Sequence, residues 1–166
     1  MRERMNVTAP EERDRYRFNY MGTHRYLIKQ PTHLSTKIFT DGKVVLTVLD
    51  QLREACWEHH FDVYAYCFLP DQLVLIARGK SEHSDMKAFL TLFRSRSTEA
   101  LKQELNHPLW KRKYLERVLR KDERSKFAAM DIFQLPVKAG LVSKPEEYAF
   151  QGSFVIDVPR SRKTPQ

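Results

Sequence analysis

The chain has 166 residues, 42% hydrophobic and 30% charged, which suits one domain with its own core and leaves little room for a second. Apolar runs in mid-chain reach only about seven residues, against the roughly 20 a membrane helix needs, so a membrane-spanning protein is not expected. The formal charge of +8 is uneven: residues 1–83 carry 12 Lys or Arg against 11 acids, and residues 84–166 carry 17 against 10. Between Arg94 and Lys126 the balance is 11 against 5, the footprint of a surface that binds phosphate, nucleic acid above all.

Residues 1–21 read as a flexible polar arm, and residues 157–166 as a disordered basic tail around a domain of residues 22–156. The first stretch has charges but no apolar h-region, so a secretory signal is not expected and a cytoplasmic setting is. Cys56 and Cys67 have no metal spacing and read as buried, reduced thiols.

In chain order, Thr23–Lys29 mixes β-branched and aromatic residues ahead of Pro31 and predicts a strand. Ser35–Thr40 reads as a second short extended piece. Thr40 or Asp41 is placed to cap a helix running to about His59, because Val45, Val48, Leu49, Leu52 and Cys56 recur at spacings of three and four. Phe61–Gly79 reads as two strands joined at Leu69–Gln72. Val63, Ala65 and Cys67 alternate with Tyr64, Tyr66 and Phe68, and Leu73–Ala77 is a continuous apolar run suited to a central strand. Pro70 has no N–H to donate, so pairing should break there and resume at Gln72 or Leu73.

Gly79–Ser84 reads as a turn with two candidate serine caps, and Met86, Phe89, Leu90, Phe93, Ser97, Ala100 and Leu101 mark one face of a second helix. Trp110–Arg120 predicts a strand entered through the basic turn Lys111–Lys113. Glu123–Gln134 predicts a third helix stopped by Pro136, and Ser143–Tyr148 a short final helix with a serine cap and Pro145 at its first position. Strand, helix, strand, strand, helix, strand is the order of an α+β, ferredoxin-like fold: a four-stranded antiparallel sheet with two helices on one face, plus C-terminal helices.

Four stretches then resemble one family. Ala65–Ile76 (AYCFLPDQLVLI) is similar to a strand and bend written A-Y-x-x-M-P-N-H-x-H-L-L, and Trp110–Arg120 to W-x-R-x-Y-x-D-R-V-L-R with Glu116 for Asp. Pro136–Val142 is similar to P-V-R-A-G-L-V, and Ser143–Phe150 to the x-x-P-E-D-Y-x-W that follows. In that order they resemble the REP-associated branch of the single-tyrosine His-hydrophobic-His transposases. The resemblance implies single-stranded or hairpin DNA as partner, dimerisation as in many relatives, and a divalent ion, Mg²⁺ or Mn²⁺, held by two histidines. It also implies a helix tyrosine that attacks the scissile phosphate to form a phosphotyrosine link. Two imidazoles at i and i+2 share one strand face and one ion, and a phenolate can attack and later leave.

Carried over residue by residue, the two histidine positions fall on Gln72 and Val74, and the tyrosine position on Asp131. None keeps the chemistry, so the expectation is a catalytic site with no member intact. Leu135 replaces the family's asparagine. No two of His24, His33, His59, His60, His83 and His107 are separated by a single residue. Adjacent His59 and His60 read as a capping and surface pair. Asp71 and Asp131 are weak candidates for an oxygen-ligand metal site; no cofactor is expected.

The DNA-binding candidates are Arg94, Arg96, Lys111, Arg112, Lys113, Tyr114, Arg117, Arg120, Lys121, Arg124 and Lys126, with Tyr114, Trp110 and Phe133 as candidate stacking platforms and a core anchor as the equal alternative for Trp110. The sequence thus points to a transposase-like DNA-binding protein that has lost nicking. Two alternatives are a metal-dependent single-strand endonuclease using other residues, and an RNA-binding or protein-interaction module.

Overall fold

Leu73, Val74, Leu75, Ile76 and Ala77 are all buried, so the strand that carries them needs cover on both faces. The computed structural model describes residues 18–158 and shows how that cover is built. Its elements are β1 (Arg25–Pro31), α1 (Gly42–His59), β2 (Phe61–Leu69), β3 (Gln72–Gly79), α2 (Met86–Ala100), β4 (Leu115–Val118), α3 (Ser125–Phe133), the one-turn α4 (Leu135–Lys138) and β5 (Gln151–Gly152). The strands form one antiparallel sheet in the order β4-β1-β3-β2-β5, with β3 central. The first four are in the ferredoxin-like order; the two-residue β5, pairing Gly152 with Tyr66 and Gln151 with Cys67, extends the expected four-stranded sheet to five.

The layers follow the side-chain alternation of the strands. Tyr26, Ile28, Leu73, Leu75 and Ala77 face α1 and α2 in the larger core. Val74 and Ile76 face the other way, against Ala129 and Ile132 of α3. The sheet is therefore covered on both faces: the two main helices lie on one, as expected, and α3, among the expected C-terminal helices, lies on the other. In β2 the expected simple alternation is corrected by a bulge: Val63 pairs with Ala77 and Ala65 with Ile76, leaving Tyr64 as the extra residue. Val63 consequently belongs to the helix side with Tyr66 and Phe68, while Ala65, Cys67 and Leu69 turn to α3.

The hairpin bend is two residues long, Pro70 and Asp71, and Leu69 pairs with Gln72, as the missing proline donor requires. Both bend carbonyls are satisfied from outside the hairpin. Phe39 N–H donates to the Pro70 carbonyl at 3.0 Å, and Thr32 N–H donates to the Asp71 carbonyl at 3.0 Å, while the Thr32 hydroxyl donates to the Thr36 carbonyl at 2.7 Å. That anchoring is why Ser35–Thr40 is not the expected extended strand. A short 3-10 turn at His33–Ser35, with Leu34 and Ser35 at positive φ, lets the chain wrap under the bend, and Phe39 is buried edge-on to Phe68 at 4.9 Å.

Caps and stops follow expectation at two of four sites. Asp41 caps α1, accepting from Lys43 N–H at 2.9 Å, as read. The cap of α2 is Asp85, accepting from Ala88 N–H at 3.0 Å; Ser84 instead accepts from Lys80 and Ser81 N–H and donates to the His60 carbonyl at 2.7 Å. His60 ends α1 in the left-handed region at φ 60°, its N–H reaching the Cys56 carbonyl. The third helix ends at Phe133, ahead of Pro136 as read, and Pro136 then sits in the first turn of α4, where its missing N–H is harmless. Ser143 caps nothing; Glu147 accepts from the Ser143 and Lys144 N–H groups of the 3-10 turn Pro145–Glu147. Gly79 is required by close approach, since a Cβ there would lie 1.9 Å from the Gly22 carbonyl oxygen.

Phe18 and Tyr20, expected in the loose arm, pack on Tyr26 and the larger core, and Met21 bridges to Asp85. The rest of the arm (residues 1–17) and of the basic tail (residues 159–166) lies outside the described residues.

Trp110 is buried against Phe39 and Phe93, and its Nε1–H donates to Ser97 Oγ at 2.8 Å. It is a core anchor and not a stacking platform for a base. Ser97→Ala orphans that buried donor and should cost about 1–3 kcal/mol in urea unfolding, against about 3–5 kcal/mol for Trp110→Ala; equal costs would mean the hydrogen bond, not the ring, dominates. Burial pushes the Cys56 and Cys67 thiols up to about 12. At pH 8 neither should react with a thiol-specific aromatic disulfide until urea unfolds the chain, and reaction of the folded protein at a free cysteine's rate would contradict that burial.

Candidate nucleic-acid interface

The β3 face that looks away from α1 and α2 is only partly closed by α3, and the remaining space is a cleft of about 460 Å³. Its floor is Leu27 and Lys29 of β1, Val74 and Ile76 of β3, and Arg117 and Leu119 at the β4 side; its wall is Phe127, Ala128, Asp131, Ile132 and Leu135. Of the three positions the family resemblance singled out, Val74 and Asp131 line this one cleft, one on the floor and one on the wall. Gln72 shares the strand face of Val74 by the period of two, but lies toward the bend and outside the lining. Asp71 sits in the bend, also outside the lining. Among the described residues no group of three or more His, Cys, Asp or Glu side chains is gathered as a metal site.

The cleft depends on how the loop before α3 is held. Arg25, projecting from β1, donates to the Glu123 carbonyl at 2.5 Å, Ser125 Oγ at 3.1 Å and the Arg120 carbonyl at 2.7 Å. Glu123 completes the clamp: Arg117 donates to its two carboxylate oxygens at 2.7 and 3.0 Å, and Arg120 N–H adds a third bond at 2.8 Å. These bonds, the Arg117 pair first, hold the Glu123 carboxyl well below the usual range, at about 2.

The eleven DNA-binding candidates do not form one strip. Arg94 donates to the Lys111 and Arg112 carbonyls at 2.9 and 3.0 Å, fixing the basic turn to α2. Arg96 pairs with Glu54 and Glu58 of α1 at 3.5 and 2.8 Å, tying the two helices together. Arg117 and Arg120 hold the acids of the clamp, Glu123 and Asp122. Tyr114 is half-buried beside Lys87, whose Nζ lies 3.3 Å from its hydroxyl and 4.3 Å above the Tyr20 ring. Tyr20 in turn donates to Glu116 at 2.9 Å, and that bond raises its phenol above the ordinary range. Sequence reading missed this Tyr20–Lys87–Tyr114–Glu116 cluster because Tyr20 fell in the presumed arm.

Among the described residues no ion pair holds Lys111, Arg112, Lys113, Lys121, Arg124 or Lys126. The first three follow Trp110 ahead of edge strand β4, and the last three flank the start of α3 at the cleft. Phe133 packs in the smaller core and is not an open platform. Lys29, whose strand position gave no charge-cluster signal, joins the cleft group.

Because Glu123 is held ionised in the folded chain, its contribution is present above the ordinary carboxyl value near 4.5 and lost as the pH falls toward about 2. Glu123→Gln should lower the urea midpoint at pH 7, and the gap to the parent should close between those two pH values. A gap independent of pH would show that packing, not charge, is what the substitution removed.

No family model matches the chain, and no curated protein matches it in sequence. Two solved structures are similar in shape. One is a REP-associated tyrosine transposase bound to a REP hairpin, at TM-score 0.69 and 17% identity, over 82% of this chain and 80% of that one. The other is a protein from Deinococcus radiodurans R1 described as a candidate transposase, at TM-score 0.52 and 17% identity, over 69% of this chain and 92% of that one. Among the described residues no helix is long and apolar enough to cross a membrane. The chain thus has the fold of the REP-associated tyrosine transposase it resembles.

Proposed function

We propose that the chain is a DNA-binding relative of the REP-associated tyrosine transposases that takes hairpin or single-stranded DNA and has lost nicking. The observation that carries this reading is the cleft: its floor and wall bring two of the family's site positions together, yet offer Val74 and Asp131 there. These residues do not suit a divalent ion. Valine has no donor atom, the Gln72 amide is a weak neutral ligand, and one carboxylate is too few for ions that take about six oxygen ligands. Nor does the Asp131 carboxylate stand in for a phenolate as nucleophile and leaving group on phosphate. The six unpaired cations support binding, since phosphate contacts need only exposed Lys and Arg. The hairpin held by the similar solved structure adds the same chemistry by analogy.

Gel-shift titrations of hairpin, single-stranded and duplex DNA at rising salt test the binding. Hairpin or single strands should bind best, with a log–log salt slope of about −0.7 for each single-strand phosphate neutralised, and Lys111→Ala with Lys113→Ala should flatten that slope. Absence of binding even at low salt would defeat the reading. In the same tubes, labelled single strands given Mg²⁺ or Mn²⁺ should stay whole and form no covalent adduct. Cleavage abolished by Asp131→Asn would restore an enzyme in place of a binder.

A further inference from the structure

The cleft that lost the ligands did not close; about 460 Å³ falls within the roughly 300–1,000 Å³ of small-ligand pockets. Its lining is mainly apolar, with Leu27, Val74, Ile76, Leu119 and Ile132 beneath and Phe127 at the mouth, 55% exposed. Six charged groups also line it, but they are not equivalent. Arg117 is bound to Glu123, and Asp122 to Arg120, so these are internally neutralised. That leaves Lys29, Arg124 and Asp131, none with an ion pair among the described residues.

Flat apolar surface, two cations and one carboxylate define the occupant's chemistry: a planar ring, an anion attached to it, and N–H donors on the ring's edge. An unpaired nucleotide has all three. The Phe127 ring, with the Arg124 guanidinium 5.5 Å from its centroid, offers stacking surface, and Lys29 and Arg124 suit a phosphate. The Asp131 carboxylate selects among bases. Guanine presents two adjacent donors, N1–H and the exocyclic amine, which match two carboxylate oxygens. Adenine and cytosine present one donor beside an acceptor, and thymine one donor between two acceptors.

We propose that this cleft receives one unpaired guanine of the bound DNA strand, stacked at Phe127 and read by Asp131. The inference rests on the DNA-binding reading and adds to it the base and the place. Base recognition then occupies the space in which the family's chemistry would have taken place.

Titration of the full chain with the four deoxynucleoside monophosphates, followed by amide chemical-shift changes, tests the pocket directly. Deoxyguanosine monophosphate should bind about 10-fold tighter than the other three, a step typical of one bidentate base contact, with shifts centred on β3 and α3. Fluorescence anisotropy of a thymine oligonucleotide with and without one guanine should show the same preference. Asp131→Asn should equalise the four bases, and Phe127→Ala should weaken the guanine strand about 10-fold, the typical loss of one stacking partner. Both side chains are exposed, so neither change threatens the fold. Ala128→Phe, checked for folding by circular dichroism, should fill the cleft and abolish the preference. DNA binding that ignores the base offered and survives all three substitutions overturns this inference and leaves the DNA-binding reading standing. Failure of the parent chain to bind any strand overturns both.

Discussion

A central strand with no exposed face is the constraint on which the rest of this structure depends. Five consecutive buried apolar residues in β3 cannot be covered by one layer, because alternate side chains point to opposite sides. α1 and α2 supply one layer through a conventional crossover, and the chain must return a second time, after β4, to cover the other side with α3. That return is short, and α3 is only nine residues long. A small lid over a wide sheet leaves part of the apolar face unroofed, so the cleft follows from the element lengths. The bulge at Tyr64 serves the same requirement. It turns Ala65, Cys67 and Leu69 toward α3 while keeping Val63, Tyr66 and Phe68 under α1 and α2, so β2 also feeds both cores.

Wherever side-chain periodicity or backbone chemistry decided the outcome, it could be read from the chain. The face of α1, the break at Pro70, the central role of Leu73–Ala77 and the ferredoxin-like strand order all follow from spacing and from proline's missing donor. What could not be read depended on partners distant in sequence. Nothing local distinguishes Asp85 from Ser84 as the cap of α2; the decision comes from the His60 carbonyl, which takes the Ser84 hydroxyl. The Ser35–Thr40 segment has strand-like residues, but the unsatisfied carbonyls of the hairpin bend draw it underneath. β5, two residues long, is set by the exposed edge of β2 and has no periodic signal of its own.

The site divides along the same line. Positive charge between Arg94 and Lys126 was evident from composition, yet four of its arginines are structural. Arg94 binds carbonyls, Arg96 cross-links two helices, and Arg117 and Arg120 hold the loop that positions α3. Counting charges therefore overstates how much of this charge is free for a phosphate partner, and those four arginines are the wrong ones to remove when probing it. Arginine is suited to this internal work because its planar fork satisfies two acceptors at fixed geometry. The unpaired cations are mostly lysines, whose flexible stems and strong hydration suit contacts to a mobile phosphate backbone.

The fold places no demand for metal or nucleophile chemistry on Val74 or Asp131. Val74 is 2% exposed and packs in the smaller core, so a valine there fits the floor beside Ile76 better than an imidazole without its ion would. Asp131, on the exposed side of α3, bears no load in the core, where Ala129 and Ile132 of the same helix do the packing. Replacement at these two positions therefore leaves the sheet, the clamp and the basic turns unchanged. On the proposed function, phosphate contacts draw on the unpaired lysines, while base reading uses Asp131, a position the family's reaction would have used. The clamp of Arg25 and Glu123 is the element that joins them, since it fixes both the mouth of the cleft and the cations that begin α3.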